Sequence, residues 1–295
     1  MKFGYACINI STNMRFRTCR LKTAQVEGLS KIKELTLQNL NLILDNIVWN
    51  IENNIYFYRF TSNVIPFATH DIMKNEFQWD WYNDKDILEI TSRIRDIVLN
   101  NNLRLTVHPG QYSPLNTPNE KTLKGTFDDF EYHDKMLELM GGTDMITHVG
   151  GMYGDKEMAK INFINNYFNL SDSIKQKLRL ENDDKIFTVE DVLEISSVCG
   201  VPVCLDIHHH NCNPSDKSIE ELFPKVVDTW RGIDIPKTHI SSGKTHKLDR
   251  AHADYINRED LESFLRIIGD YDVDIMFESK KKDLSVLQHL DLQRL

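Results

Sequence analysis

The chain has 295 residues, 41% of them hydrophobic and 27% charged, which suffices for a sizeable core in one large domain or two small ones. A net charge of −9 argues against a uniformly basic polyanion binder, although bound divalent cations would offset acidic groups and a local basic strip can still grip phosphates. No apolar run approaches the ~18 residues of a membrane span, and "MKFGYACINI" has neither the apolar stretch nor the small-residue cleavage site of a signal peptide.

In chain order, β-rich runs alternate with helical patterns. "KFGYACI" leads to Asn9, and apolar residues at spacings of three and four then run from Leu29 to Asn53. "IYFYRF" precedes His70 and a helix pattern from Asp86 to Asn100. "RLTVHP" carries His108 at its end, and the next helix pattern, Phe127 to Met140, stops at Gly141. "MITHVG" ends at His148 and "LRLEN" at Glu181. Thr188 is placed to cap a helix from Val189 to Cys199, with Gly200 after it. "VPVCLDI" delivers Asp206 and three consecutive histidines, and Ser218 opens a helix from Ile219 to Trp230. "KTHIS" carries Lys237 and His239. A helix from Arg258 to Ile268 follows, and "VDIMFES" ends at Glu278.

Eight strand signals alternating with helices predict an α/β protein, a (β/α)8 TIM barrel forming a single domain over residues 1–295. A doubly wound open sheet is the competitor, but no GxGxxG turn follows the first strand. In such a barrel chemistry collects where strands end. Of eleven histidines, only His133, His246 and His289 lie away from a strand end or the polar loop after it. A single strand-end histidine is usually a hydrogen-bonded structural residue. Many converging on one face reverse that expectation, because crowded neutral imidazoles leave polar groups unsatisfied unless they bind metal.

The candidate ligands are His70, His108, His148, Glu181, Asp206, His209, His239, His252, Asp254 and Glu278, too many for one ion. Imidazole with carboxylate suits Mn²⁺, Fe²⁺ or Zn²⁺, and two or three ions sharing carboxylates perform hydrolytic displacement at phosphorus. Within the triple histidine, strand alternation favours His208, which would share a face with Asp206. Lys280, Lys281 and Lys282 fit a solvated loop or a phosphate contact equally well. The five cysteines form no CxxC pair, so a reduced, intracellular setting is expected.

Ten motifs in series, "GYACIN", "FRTCRL", "FYRFTSN" with "PFATH", "HPGQY", "THVGGMYGDK", "LENDD", "DIHHHN", "PKTHIS", "HADYI" and "FESKKKD", resemble the UV-damage endonucleases. The resemblance covers nearly the whole chain. It implies a metal-dependent TIM barrel, similar to the endonuclease IV type of abasic-site nuclease, and an activity that cuts the DNA backbone immediately 5′ of cyclobutane dimers and 6-4 photoproducts and leaves a 3′-hydroxyl. The implied metal ligands are His70, His108, His148, Glu181, Asp206, His209, His239, His252 and Glu278, so the motif selects His209 where alternation selects His208. The implied cofactors are two or three divalent ions, Mn²⁺ foremost, with Zn²⁺ or Fe²⁺ fitting the same donors. Glu181, Glu278, Lys237 and His239 are the implied catalytic groups, and Lys237 matches a lysine carboxylated on its amine. Gln111 and Tyr112 match a pair that wedges into the duplex at the lesion, and Tyr5 and Asn9 match residues lining the damaged strand.

The expected partner is damaged double-stranded DNA, bound by a monomer in the cytoplasm or nucleoid, or in the nucleus of a eukaryote. Arg15, Arg17, Arg20 and Lys22 in the first loop, and Lys244, Lys247 and Arg250 near the seventh strand, are placed to meet phosphates. A metal-dependent sugar isomerase or epimerase on a related barrel is the alternative, and a non-catalytic binder of damaged DNA a third reading.

Overall fold

The structure is a computed structural model that describes residues 1–13, 15–110 and 113–293. Eight parallel strands, β1 (Phe3–Ala6), β2 (Phe57–Phe60), β3 (Arg104–Val107), β4 (Asp144–His148), β5 (Leu178–Glu181), β6 (Val203–Asp206), β7 (Lys237–Ile240) and β8 (Asp274–Phe277), close in sequence order into a barrel. Pairing of β1 with both β2 and β8 completes the ring, so no strand edge is left open. The predicted TIM barrel is therefore the observed fold. Among the described residues, eleven α-helices surround or cap it: α1 (Leu21–Glu27), α2 (Leu29–Glu52), α3 (Lys85–Asn100), α4 (Glu120–Met140), α5 (Lys156–Phe168), α6 (Asp172–Lys177), α7 (Val189–Cys199), α8 (Ile207–Cys212), α9 (Ile219–Asp228), α10 (Arg258–Ile268) and α11 (Lys282–Leu287). Among the described residues, no helix is long and apolar enough to cross a membrane.

Local chemistry explains the helix ends. The Thr188 hydroxyl accepts from Asp191 N while the Asp191 carboxylate accepts from Thr188 N, a complete capping box on α7. The Ser218 hydroxyl accepts from Glu221 N at the start of α9. Gly141 and Gly200 take the left-handed conformation that ends α4 and α7. The sequence reading started α4 seven residues late, at Phe127, because Asn119, which caps it, is followed by a polar first two turns.

Period-two alternation divides the strand residues. Outward side chains such as Leu105, Val107, Met145, Leu180, Leu205 and Ile275 join the helices in one large apolar core. Inward side chains build the barrel interior in layers. Its floor is ionic. Asp144 lies 2.8 Å from Arg104 and 2.9 Å from Arg179, and Arg104 lies 3.0 Å from Asp274. Trp230 packs against both guanidinium groups and donates its indole N–H to Val203 O at 2.7 Å. Ala6, Phe57 and Met276 form a small apolar cluster inside the barrel. The same alternation, followed to the strand ends, brings Arg59, His108, His148, Glu181, Asp206, His239 and Glu278 to the opposite mouth.

Candidate metal centre

Glu181, at the end of β5 and almost wholly buried, is the hub of that mouth. Its Oε1 lies 2.7 Å from His239 Nδ1 and its Oε2 3.2 Å from His108 Nε2. His148 Nε2 is 3.5 Å from Oε2, and His209 Nδ1 is 3.8 Å from Oε1. Three groups of donor atoms result, each spanning no more than 4.8 Å: His108, His148 and Glu181; Glu181, Asp206 and His209; Glu181, His239 and Glu278. Glu181 belongs to all three.

The chain leaves the β6 strand at Asp206, and this sets which of the three histidines lies beside Asp206 and Glu181. The Asp206 carboxylate accepts from His209 N at 2.8 Å and so caps α8, and the helical i, i+3 spacing sets His209 over Asp206. His208 instead turns to Asp249 O, 3.0 Å from its Nε2, and His210 is buried away from the cluster. Strand alternation pointed to His208 because it assumed a strand that has already ended. Asn182 was not singled out from the sequence. Its side-chain amide donates to Asp206 O and accepts from Asp206 N, and its carbonyl oxygen lies 3.0 Å from His209 Nδ1. It locks β6 beside β5 and orients the imidazole, a role hidden in "LENDD" beside the more conspicuous Glu181.

Other expected residues lie further out. His70 is exposed and its Nδ1 accepts from Ile72 N; His252 stands opposite Gly243 in an isolated bridge, with its ring 6.0 Å from His208. Neither enters a donor group, although His252 is near enough to Glu278 to favour its charged form. Asp254 is exposed and outside the groups. Lys237 is buried one inward position below His239, with Nζ 3.2 Å from Thr106 Oγ1 and over the Phe57 ring. Burial pushes its amine down to about 8, against the pull of Asp144. Tyr5 and Asn9, expected to line the damaged strand, are buried instead. Asn9 donates to Tyr5 Oη at 2.8 Å, Tyr5 donates to Asn50 at 2.7 Å, and Thr12 N donates to Asn9, so the pair ties the first loop to α2. Gln111 and Tyr112 lie outside the described residues.

Electrostatics and unmet hydrogen-bonding capacity both call for cations. Three carboxylates, Glu181, Asp206 and Glu278, face one guanidinium, Arg59, which pairs with Glu278. Burial alone would lower His209, but Asp206, Glu181 and Glu278 outweigh it and push the imidazole up to about 9. Burial opposes the charge on Glu181, yet His239, His148 and His108 hold its carboxyl well below the usual range. Asp206 Oδ2, His239 Nε2 and His148 Nδ1 are buried without a hydrogen-bond partner among the described residues. Buried polar atoms are normally satisfied, and mixed imidazole–carboxylate donors left bare around a shared carboxylate fit divalent ions.

The sequence of the UV-endonuclease UvdE family matches residues 1–295. A UV DNA damage endonuclease of Clostridium perfringens is 36% identical over 294 residues, covering 98% of this chain and 69% of that protein. The chain belongs to the UvdE family. Membership makes it a UV-damage DNA repair endonuclease. The solved structure of SacUVDE superimposes with a TM-score of 0.90 at 31% identity, covering 99% of this chain and 97% of that one. Endonuclease IV from Thermus thermophilus (TM-score 0.57, 16% identity, 85% and 95% covered) and D-psicose 3-epimerase from Clostridium cellulolyticum (0.56, 12%, 95% and 85%) share the barrel alone.

Proposed function

We propose that this UvdE-family barrel, acting as one catalytic domain over residues 1–295, hydrolyses the phosphodiester immediately 5′ of cyclobutane dimers and 6-4 photoproducts in double-stranded DNA. The bond between phosphorus and the 3′-oxygen breaks, leaving a 3′-hydroxyl upstream and a 5′-phosphate on the lesion-bearing fragment. The observation that carries the reading is the set of three donor groups sharing Glu181 at the mouth of the barrel. Two or three Mn²⁺ ions, or Zn²⁺ or Fe²⁺ on the same donors, would supply an activated water and take up charge on the phosphate.

The chain's own residues have distinct parts in this reading. Glu181 is the common acceptor, Asp206 with His209 forms one wall, and Glu278 steadied by Arg59 forms another. His239 shares a proton with Glu181 across their 2.7 Å contact. His70 and His252, outside the three donor groups, would complete the metal site when substrate and metal are bound. Lys237, carboxylated on its amine, joins as an anionic ligand, and intact mass spectrometry would show the added carbon dioxide. Gln111 and Tyr112 wedge the duplex at the lesion. The first-loop arginines and Lys244, Lys247 and Arg250 meet phosphates and set register without reading sequence. Tyr5 and Asn9 act from beneath, by holding the first loop. One chain suffices for one lesion, and the DNA substrate locates the protein in the cell interior. The sugar-epimerase reading rests on barrel likeness alone and is not carried further.

The test is nicking of UV-irradiated against undamaged supercoiled plasmid with Mn²⁺, followed by end-mapping of the cut. Cutting confined to irradiated DNA and abolished by chelator is expected. Equal cutting of both plasmids, or full activity in excess chelator, would overturn the reading.

A further inference from the structure

Tyr153 lies in the loop between β4 and α5, five residues after His148. It occupies a backbone conformation that a bulky side chain rarely adopts. Its φ is 50° and that of Gly154 is 90°, and Asp155 N donates to Met152 O at 3.1 Å, so both central residues of a hydrogen-bonded turn have positive φ. Turns of that pattern take Gly, Asn or Asp at these positions, not an aromatic residue. Strain of this kind persists only where the surroundings enforce it, and it clusters at functional sites.

The surroundings do enforce it. A Cβ on Gly151 would stand 3.1 Å from Tyr153 Cζ and 3.2 Å from Cε2, so the ring packs closely over Gly151, and a side chain there would displace it by a few tenths of an ångström. Gly151 O in turn accepts from Asn116 Nδ2 at 2.7 Å, and a Cβ on Gly150 would collide with Asn116 Oδ1 at 2.1 Å. The loop is pinned, and the ring is oriented before anything binds. Yet half of Tyr153 is exposed (51%), and its hydroxyl makes no hydrogen bond among the described residues. The ring is held neither for core packing nor for its hydroxyl. It borders a cavity of about 300 Å³ whose walls include Pro109, Pro114 and Ile186 and which reaches His108 and His148 of the donor cluster.

We propose that the Tyr153 ring is a stacking platform for a nucleobase of the strand being cut, received in this cavity beside the metal donors. The proposal rests on the endonuclease reading and deepens it by naming a positioning residue for the substrate. A rigid aromatic face backed by backbone loses little entropy on binding, and any base can stack on it, which suits an enzyme that follows damage and not sequence.

The experiment uses a duplex with one photodimer and 2-aminopurine beside it, whose fluorescence is quenched on stacking, together with KM and kcat for nicking under Mn²⁺. Tyr153→Asn keeps a residue that tolerates the backbone conformation but removes the ring; Gly151→Ala keeps the ring but unseats it; Tyr153→Phe keeps both. Losing one base stack is expected to raise KM on the order of tenfold in Tyr153→Asn and in Gly151→Ala. Both should lose the quench with kcat and metal content unchanged, while Tyr153→Phe should match the wild type. An unchanged KM and quench in both ring-disrupting variants would overturn the platform, even with a lowered melting temperature. If the wild type itself fails to nick, the endonuclease reading falls, and the quench alone decides the platform.

Discussion

Among the described residues, Asp144 is the one carboxylate that faces both guanidinium groups in the barrel floor, and Asp144→Asn removes it. Asp144 is fully buried, 2.8 Å from Arg104 and 2.9 Å from Arg179. Burial would raise its pKa, but Arg104 and Arg179 outweigh burial and hold it far below the usual carboxylate range. Breaking a buried pair by removing one partner costs about 3–5 kcal/mol, because the remaining charge is left uncompensated. At the specific unfolding entropy of globular proteins, that cost in a chain of 295 residues lowers Tm by roughly 5–8 °C. A carboxyl depressed in the folded state stabilises above its unfolded pKa near ~4 and loses that contribution as pH falls through its folded value. The gap between wild type and Asp144→Asn should therefore be constant at neutral pH and shrink in acid. Asp274 sharpens the comparison. Burial raises its carboxyl against the pull of Arg104, the one guanidinium paired with it among the described residues, and the weaker pull of Lys2. Asp274→Asn should consequently be the milder variant. Calorimetry of the three proteins from pH 7 downward checks this. A shift below about 1 °C for Asp144→Asn, or a larger loss for Asp274→Asn, would refute the reasoning.

Glu181→Gln keeps the shape but removes the charge shared by all three donor groups, so metal content by elemental analysis should fall by more than half and nicking by at least about 100-fold, beyond the effect of losing an outer-shell partner. His209→Ala should lose more metal than His208→Ala, because His208 is engaged with Asp249 O; a larger loss for His208→Ala would restore the strand-alternation argument. Asp283→Ala removes the acceptor of Ile10 N, Ser11 N and Ser11 Oγ, at 2.6, 3.1 and 2.6 Å, and should cost on the order of 2–4 kcal/mol. Limited proteolysis should then cut the first loop faster while metal content stays at the wild-type level, and unchanged proteolysis would sink the assignment.

What the sequence made legible was whatever obeys a short period. The alternation of strand with helix patterns put His108, Glu181, His239 and Glu278 at or beside strand ends, which already implied a common mouth. Legibility failed where the period changed within a few residues. The six-residue helix α8 begins at the last residue's heel of β6, so a pattern read as strand assigned His208 the place that His209 occupies. Burial of Tyr5 and Asn9 was hidden for another reason: "GYACIN" carries no sign that Asn50, 45 residues away from Tyr5, will cover the phenol. The ionic floor was equally obscure. Arg104 and Asp274 open their strands and Arg179 is the second residue of its own, where isolated charges read as solvent-facing ends, and only closure of the barrel turns them inward.

The two ends of the barrel interior use the same residue types and reach opposite electrostatic outcomes. At the floor, each carboxylate meets a guanidinium, and Asp144 meets two, so the charges satisfy one another without any ligand. At the mouth, three carboxylates meet one guanidinium, Arg59, and imidazoles of which His209 is pushed toward its charged form, while buried nitrogen and oxygen atoms of His148, His239 and Asp206 have no hydrogen-bond partner among the described residues. Burial raises the cost of charge equally at both ends, so the difference lies in how completely the protein supplies counter-charge. A floor that is balanced internally should register substitution as lost stability with metal content intact. The mouth, whose unpartnered donor atoms suit cations, should register it as lost metal and should gain thermal stability when Mn²⁺ is added, since a ligand that binds only the folded state stabilises it. Asp144→Asn should therefore keep its Mn²⁺-dependent rise in Tm in full, and Glu181→Gln should lose most of it. Equal loss of that rise in both variants would mean that floor and mouth act as a single charge system.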